Sequence, residues 1–349
     1  MQHDRLPDAM DSDLPIEPTR YGADAHGLVC GYRFETATAA CPIGSDEAAQ
    51  WLAGATDGGF VWLHFNLSHA GAERWLQRHA QLPESFYDTL HDDHRSTRLE
   101  RDQAALIAVI NDVQFDFAFE SSDIATLWIG VDRRLVVTAR QSPLRSIDRL
   151  RTAIRRGEPL RSTTELLEWL LRSQAEVLVD VVRGVTRRID EVEDALLAGR
   201  LQHKRTRLGV LRRLLVRLQR LLAPEPAALF RLLQHPPTWM VERDVDELRQ
   251  ATEEFSVALR DMAALQERIK LLQEEIAEAV NERTSRSLFV LTVVTVLALP
   301  INILAGLFGM NVGGVPLAEN THGFWILVAV VIAFTAVAGW LAFRGHNDR

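Results

Sequence analysis

A chain of 349 residues with 25% charged side chains is too polar to lie mostly in lipid, and a net charge of −8 argues against a general nucleic-acid binder. Only Cys30 and Cys41 are present, without CxxC spacing, so neither a disulfide framework nor a zinc finger is expected. No P-loop and no nucleophile motif stands out, which leaves ATP-driven transport and enzymatic catalysis without support.

Residues 1–26 begin with an Asp- and Pro-rich stretch and read as a mobile leader rather than a cleavable targeting segment. Residues 27–160 read as an α+β domain. Gly27 to Phe34, Phe60 to Leu67, Ala104 to Ile110, Ile124 to Val131 and Arg134 to Thr138 have strand character. Short polar turns join the last three, which predicts antiparallel neighbours. Ala70 to Ala80, Pro83 to His91 and Ser142 to Arg156 read as helices, the last with Pro143 in its first turn. His91, Asp92, Asp93 and His94 are zinc-compatible side chains, but a polar loop after a helix is the better account of them.

Residues 161–286 change character, with helical periodicity and strong helix formers throughout. Ser162 or Thr163 caps a helix running from Glu165 to about Ala198. A second, from about Gln202 to Leu222, ends before Pro224 and Pro226. Its leucines at 208, 211, 215, 218 and 222 share one face; the basic side could touch anionic lipid, but the helix is expected to pack in the bundle with its arginines meeting Glu242, Asp244, Asp246 and Glu247. From Val241 nothing breaks the chain until Pro300, and Leu248, Ala251, Phe255, Ala258, Met262, Leu265, Ile269, Leu272, Ile276 and Ala279 keep heptad spacing. Such a seam requires partner helices, in the same chain or in other copies. A rod from Val241 to Phe308 would be about 100 Å long, with a break near Asn281 as the alternative.

Residues 287–308 and 323–343 form two apolar runs, each of roughly 20 residues, long enough at about 1.5 Å per residue to cross a bilayer. Arg283, Arg286, Arg344 and Arg349 flank them, and the connecting loop, residues 309–322, has no Lys or Arg. Both termini are therefore expected to be cytoplasmic, with residues 344–349 as a short tail. In the first run Thr292, Thr295, Leu299 and Asn302 share a sector of about 80° on a helix advancing about 100° per residue. Two readings stand: polar glue across a helix interface, or the lining of a water-filled axis enclosed by several subunits.

The first run ends in Gly309, Met310 and Asn311. A long helix entering a span that closes on Gly-Met-Asn, then a short loop, a second span and a short tail, resembles the CorA-type divalent-cation transporters over essentially the whole chain. Trp62, Leu63 and His64 open a family-like strand. Val312, Gly313, Gly314, Val315 and Pro316 look like the ZntB zinc-transport branch, since magnesium members usually carry an acid after the Pro, where this chain has Leu317. The resemblance implies a homopentameric funnel in the inner membrane, with Zn²⁺ as cargo and no resident cofactor. Asn311 would ring the outer mouth, Gly309 would allow close backbone approach, and Met310 would hold the turn. Glu319 and His322 in the loop could gather cations electrostatically or bind zinc directly, with a solvated loop that has no metal role as the alternative. The tail lacks the lysine cluster of magnesium members, so any basic collar would lean on Arg283 and Arg286.

Overall fold

The computed structural model describes residues 22–35, 40–54, 58–92, 97–102, 104–119, 123–198, 204–309 and 322–347. Two compact units emerge, one of residues 1–195 with 203–270, the other of residues 196–202 with 271–349.

The first unit is built on a mixed seven-stranded sheet with strand order β2-β1-β3-β7-β6-β5-β4. Its strands are β1 (Leu28–Phe34), β2 (Cys41–Pro42), β3 (Phe60–Asn66), β4 (Arg98–Asp102), β5 (Ala105–Val113), β6 (Ile124–Val131) and β7 (Leu135–Arg140). β5, β6 and β7 are antiparallel neighbours, as their polar turns predict, and β3 pairs with β7 in parallel, Val61 opposite Leu135. The central strands are buried at every position because helices cover both faces. On one face Val61, Leu63, Phe65 and Trp128 pack with α1 (Ser45–Ala53), α2 (Ala72–His79) and α3 (Glu84–His91). On the other, Trp62, Ile110, Leu127 and Ile129 pack with α4 (Arg145–Arg155), α5 (Thr163–Leu197) and α7 (Pro224–Gln234).

Several local expectations change. α4 starts at Arg145, after Pro143, because the Ser146 amide and hydroxyl donate to the buried Asp112 carboxylate. Pro224 and Pro226 do not merely end α6 (Lys204–Leu222); Pro224 opens α7, where a missing N–H costs nothing. Ser162 is the cap of α5, its Oγ accepting from the Glu165 amide at 3.0 Å while Glu165 accepts from the Arg161 amide at 2.6 Å. Gly59 has φ +83°, and a Cβ there would lie 2.3 Å from the Phe34 carbonyl oxygen. Gly59→Ala is expected to cost about 2–3 kcal/mol, from backbone strain plus a clash with a strand that cannot yield, as denaturant unfolding would register.

α8 (Glu242–Phe308) is one unbroken helix of 67 residues with Pro300 inside it. No break occurs near Asn281. Every seam residue from Leu248 to Ile276 is buried within a single chain, whereas Ala279 is half-buried. In the first unit the partners are α5 and α6: Arg268 bridges Asp190 and Glu193 at 2.8 and 2.5 Å, and Gln266 donates to Gln219 at 2.7 Å. The leucines of α6 are buried as expected, and three of the acids proposed for its arginines have other partners. Asp246 pairs with Arg249, Glu247 with Arg243, and Asp244 accepts from Ser162.

Candidate transport path

In the second unit, the apolar end of α8 and α9 (Gly323–Asn347) are long and apolar enough to cross a membrane. Neither stretch is buried in the chain, as a soluble core helix would be. The partial burial that exists is directional. Val293, Leu297, Ile301, Leu304 and Phe308 of α8 are half-buried, and so are Leu327, Val331, Thr335 and Ala338 of α9. Each set recurs at three- and four-residue steps, the signature of one helix face.

Thr292, Thr295, Leu299 and Asn302 are all exposed. At about 100° per residue their sector lies roughly 180° around the helix from the half-buried face. Beyond Ser287 at its start, the polar side chains of this span thus point away from what the chain itself covers. The Thr292 and Thr295 hydroxyls donate to the carbonyls of Leu288 and Leu291 at 2.8 and 2.9 Å. With the proton committed to the backbone, each oxygen presents lone pairs outward, a surface suited to a cation's hydration shell. Pro300 has no N–H to give the Val296 carbonyl, which adds a further acceptor to this stretch.

Arg283 and Arg286 are exposed just before the span. Gly309 ends it, its amide donating to the Ala305 carbonyl at 3.0 Å, and a Cβ there would stand 3.0 Å from that same oxygen. Met310, Asn311 and Glu319 lie outside the described residues. His322 stands immediately before α9, its carbonyl accepting from the Ile326 amide at 3.1 Å. Of the cytoplasmic zinc-compatible run, His91 closes α3 with its Nδ1 3.0 Å from the Tyr87 carbonyl, while Asp93 and His94 lie outside the described residues. Among the described residues no cluster of three His, Cys, Asp or Glu side chains is placed to hold a metal.

A buried polar set in the first unit escaped sequence reasoning. Glu225, in the first turn of α7, has no exposed surface; Gln174 of α5 donates to its Oε2 at 3.4 Å and to the Asn111 carbonyl at 2.7 Å. Among the described residues neither Glu225 Oε1 nor Gln174 Oε1 has a hydrogen-bond partner. Burial, opposed by Gln174 and reinforced by the charge of Asp112, pushes the Glu225 carboxyl well above the usual carboxylate range. Burial likewise raises Asp112, and lifts Glu168 of α5 to about 7 against the pull of Arg172. A sequence offers little signal for this, because Glu after Pro is an ordinary exposed helix start.

The family profile described as CorA-like Mg2+ transporter protein matches residues 57–344, which takes in β3 to β7, the helical bundle, α8 and nearly all of α9. The chain belongs to this family. Its members are transporters, so the chain is a membrane transport protein and not an enzyme. The divalent cation transporter CmaX of Pseudomonas aeruginosa is 28% identical over 323 residues, covering 92% of this chain and 96% of the relative. A zinc transport protein ZntB of Yersinia enterocolitica is 25% identical over 282 residues, covering 80% and 86%. Among solved structures, full-length CmaX superposes with a TM-score of 0.77 over 92% of this chain and 98% of its own. The CorA magnesium transporter of Methanocaldococcus jannaschii gives 0.75 over 89% and 96% at 17% identity, a likeness of fold.

Proposed function

We propose that the chain carries divalent metal cations, with Zn²⁺ as the favoured cargo, across the inner membrane as a homopentamer whose termini are both cytoplasmic. The observation that carries this reading is the polar stripe of Thr292, Thr295 and Asn302 set opposite the half-buried face of α8. Two helices per chain cannot enclose a water-filled path, so several copies must bring their stripes to one axis. Neutral oxygens along that axis suit a hydrated ion, which must be bound well enough to enter and weakly enough to leave. The first span has no charged residue. At the outer mouth Asn311 would orient metal-bound water through its amide oxygen.

Zinc is favoured over magnesium by chemistry at the loop. Mg²⁺ requires near-octahedral oxygen ligation and gives up water slowly, whereas Zn²⁺ accepts imidazole and low coordination numbers. His322 and Glu319 supply one imidazole and one carboxylate, and Leu317 stands where magnesium members usually place an acid. A relative named for zinc supports this, and the family description, which names Mg²⁺, supports a CorA-type Mg²⁺, Co²⁺ or Ni²⁺ channel as the second reading. A membrane-anchored coiled-coil sensor has only the heptads in its favour, and these are satisfied inside one chain.

Proteoliposomes loaded with metal-sensitive dyes test the reading. Zn²⁺ entry is expected to exceed Mg²⁺ entry at equal concentration by about tenfold, which corresponds to about 1.4 kcal/mol, and His322→Ala is expected to erase most of that margin. Equal Mg²⁺ flux, unchanged by the substitution, would promote the magnesium reading. Repeating the assay with a proton gradient of either sign tests coupling, which would have to act through His322, Glu319 or the cytoplasmic carboxyls.

A further inference from the structure

α6 carries Lys204, Arg205, Arg207, Arg212, Arg213, Arg217 and Arg220, and not one acid. Its leucine face is fully used inside the chain. On the opposite side Arg213, Arg217 and Arg220 stand with Val216, which is 46% exposed. Arg213, Arg217 and Arg220 have no ion-pair or hydrogen-bond partner among the described residues. Their three- and four-residue spacing puts like charges side by side, an arrangement that repels itself until an anionic surface covers it.

The same unit offers such a surface. Glu253 and Asp261 of α8 flank Val257, which is 46% exposed, and neither carboxylate has a partner among the described residues. Arg260 stands about 60° around the helix from Val257. Arg213 and Arg220 are about 10.5 Å apart along α6, and Glu253 and Asp261 about 12 Å apart along α8, at about 1.5 Å per residue. Each patch is thus a valine between charges, with matching spacing and opposite sign. α6 and α8 are already joined on their inner sides by the Gln219–Gln266 bond, so their outward faces cannot meet within one chain.

We infer that the outward face of α6 in one copy docks on the Glu253–Val257–Asp261 face of α8 in the next copy. Two different patches on one unit make a head-to-tail contact, and such contacts close into a ring when the rotation permits. The inference rests on the oligomeric reading above and names the surface that joins its cytoplasmic parts.

Full-length protein carrying Val216→Cys and Val257→Cys, with the exposed Cys41 replaced by Ser, should form a ladder of disulfide-linked oligomers in detergent under mild oxidation. Either cysteine alone should not build a ladder. Adding Arg213→Glu and Arg217→Glu should cut cross-linking at least tenfold, and adding Glu253→Arg with Asp261→Arg should restore it. Absence of intermolecular bonds in the double-cysteine protein would overturn the inference. So would loss of binding to phosphatidylglycerol vesicles in the α6 variant without loss of cross-linking, which would give the basic face to lipid. Flux in the wild-type protein with no ladder from the double-cysteine protein overturns this interface and leaves transport standing; a ladder from the double-cysteine protein with no flux in the wild type does the reverse.

Discussion

Asn302→Leu is expected to slow metal flux at least tenfold without raising thermal stability. Asn302 is exposed on the side of α8 opposite the half-buried face, one turn beyond Leu299 and in line with Thr292 and Thr295. If that side faces water, its amide replaces part of an ion's hydration, and an isobutyl group in a narrow ring creates an apolar constriction that dewets. Losing one polar partner for a partly dehydrated ion costs on the order of 2 kcal/mol, more than a factor of ten in rate. The opposite result separates the two readings of the stripe. Were Asn302 polar glue between helices, leucine would leave flux alone and raise the melting temperature of the detergent-solubilised protein, because a buried amide is replaced by packing area. Asn311→Ala should also abolish flux while leaving oligomer size unchanged, since Asn311 is proposed to meet solvated ions rather than to hold subunits together.

How far the sequence could be read depended on whether one element alone carried the signal. The two apolar runs, the heptad seam of α8 and the strands β5, β6 and β7 each announce themselves, because burial on a fixed side writes a period into the chain. β4 was missed because its sequence, Arg98–Asp102, is almost wholly polar; it is an edge strand held by backbone pairing to β5 rather than by an apolar face. α7 was missed because a proline reads as an ending, although at the first position of a helix it is a beginning. The heptads could not say whether their partners were internal. Burial of Leu248 through Ile276 within one chain answers that, and leaves the outward side of α8 as the side available to other copies. At the candidate site the residue types of the stripe were legible, but its relation to the half-buried face was not, since that depends on what α8 packs beside. The unmatched charges of α6 were likewise invisible, because only the folded arrangement shows that Asp246 and Glu247 are already taken.

Glu225→Gln is expected to stabilise the protein at alkaline pH and to leave it little changed at pH 5. The geometry explains why. Gln174 presents an amide N–H to one oxygen of Glu225, while the other oxygen of Glu225 and the carbonyl oxygen of Gln174 both lack a donor among the described residues. A proton on Glu225 converts one of these two orphaned acceptors into a donor, and an acid paired with an amide can satisfy both. Since the folded carboxyl holds its proton well above the ordinary range, folding takes up a proton once the pH exceeds the unfolded value. The stabilising contribution is complete below the unfolded pKa and declines as pH rises toward the folded one. Asp112, raised by burial, and Glu168, raised to about 7, act in the same direction, so the wild-type protein should lose stability steadily from pH 5 upward. An amide at position 225 supplies the donor at every pH and removes one share of that slope, not the whole. The gain at pH 8.5 should be about 1–3 kcal/mol, the usual cost of leaving a buried polar group unsatisfied, read as a shift of several degrees in thermal unfolding. If Glu225→Gln instead destabilises equally at pH 5 and pH 8.5, the carboxylate is charged in the folded state and the pairing with Gln174 is not the source of the pH dependence.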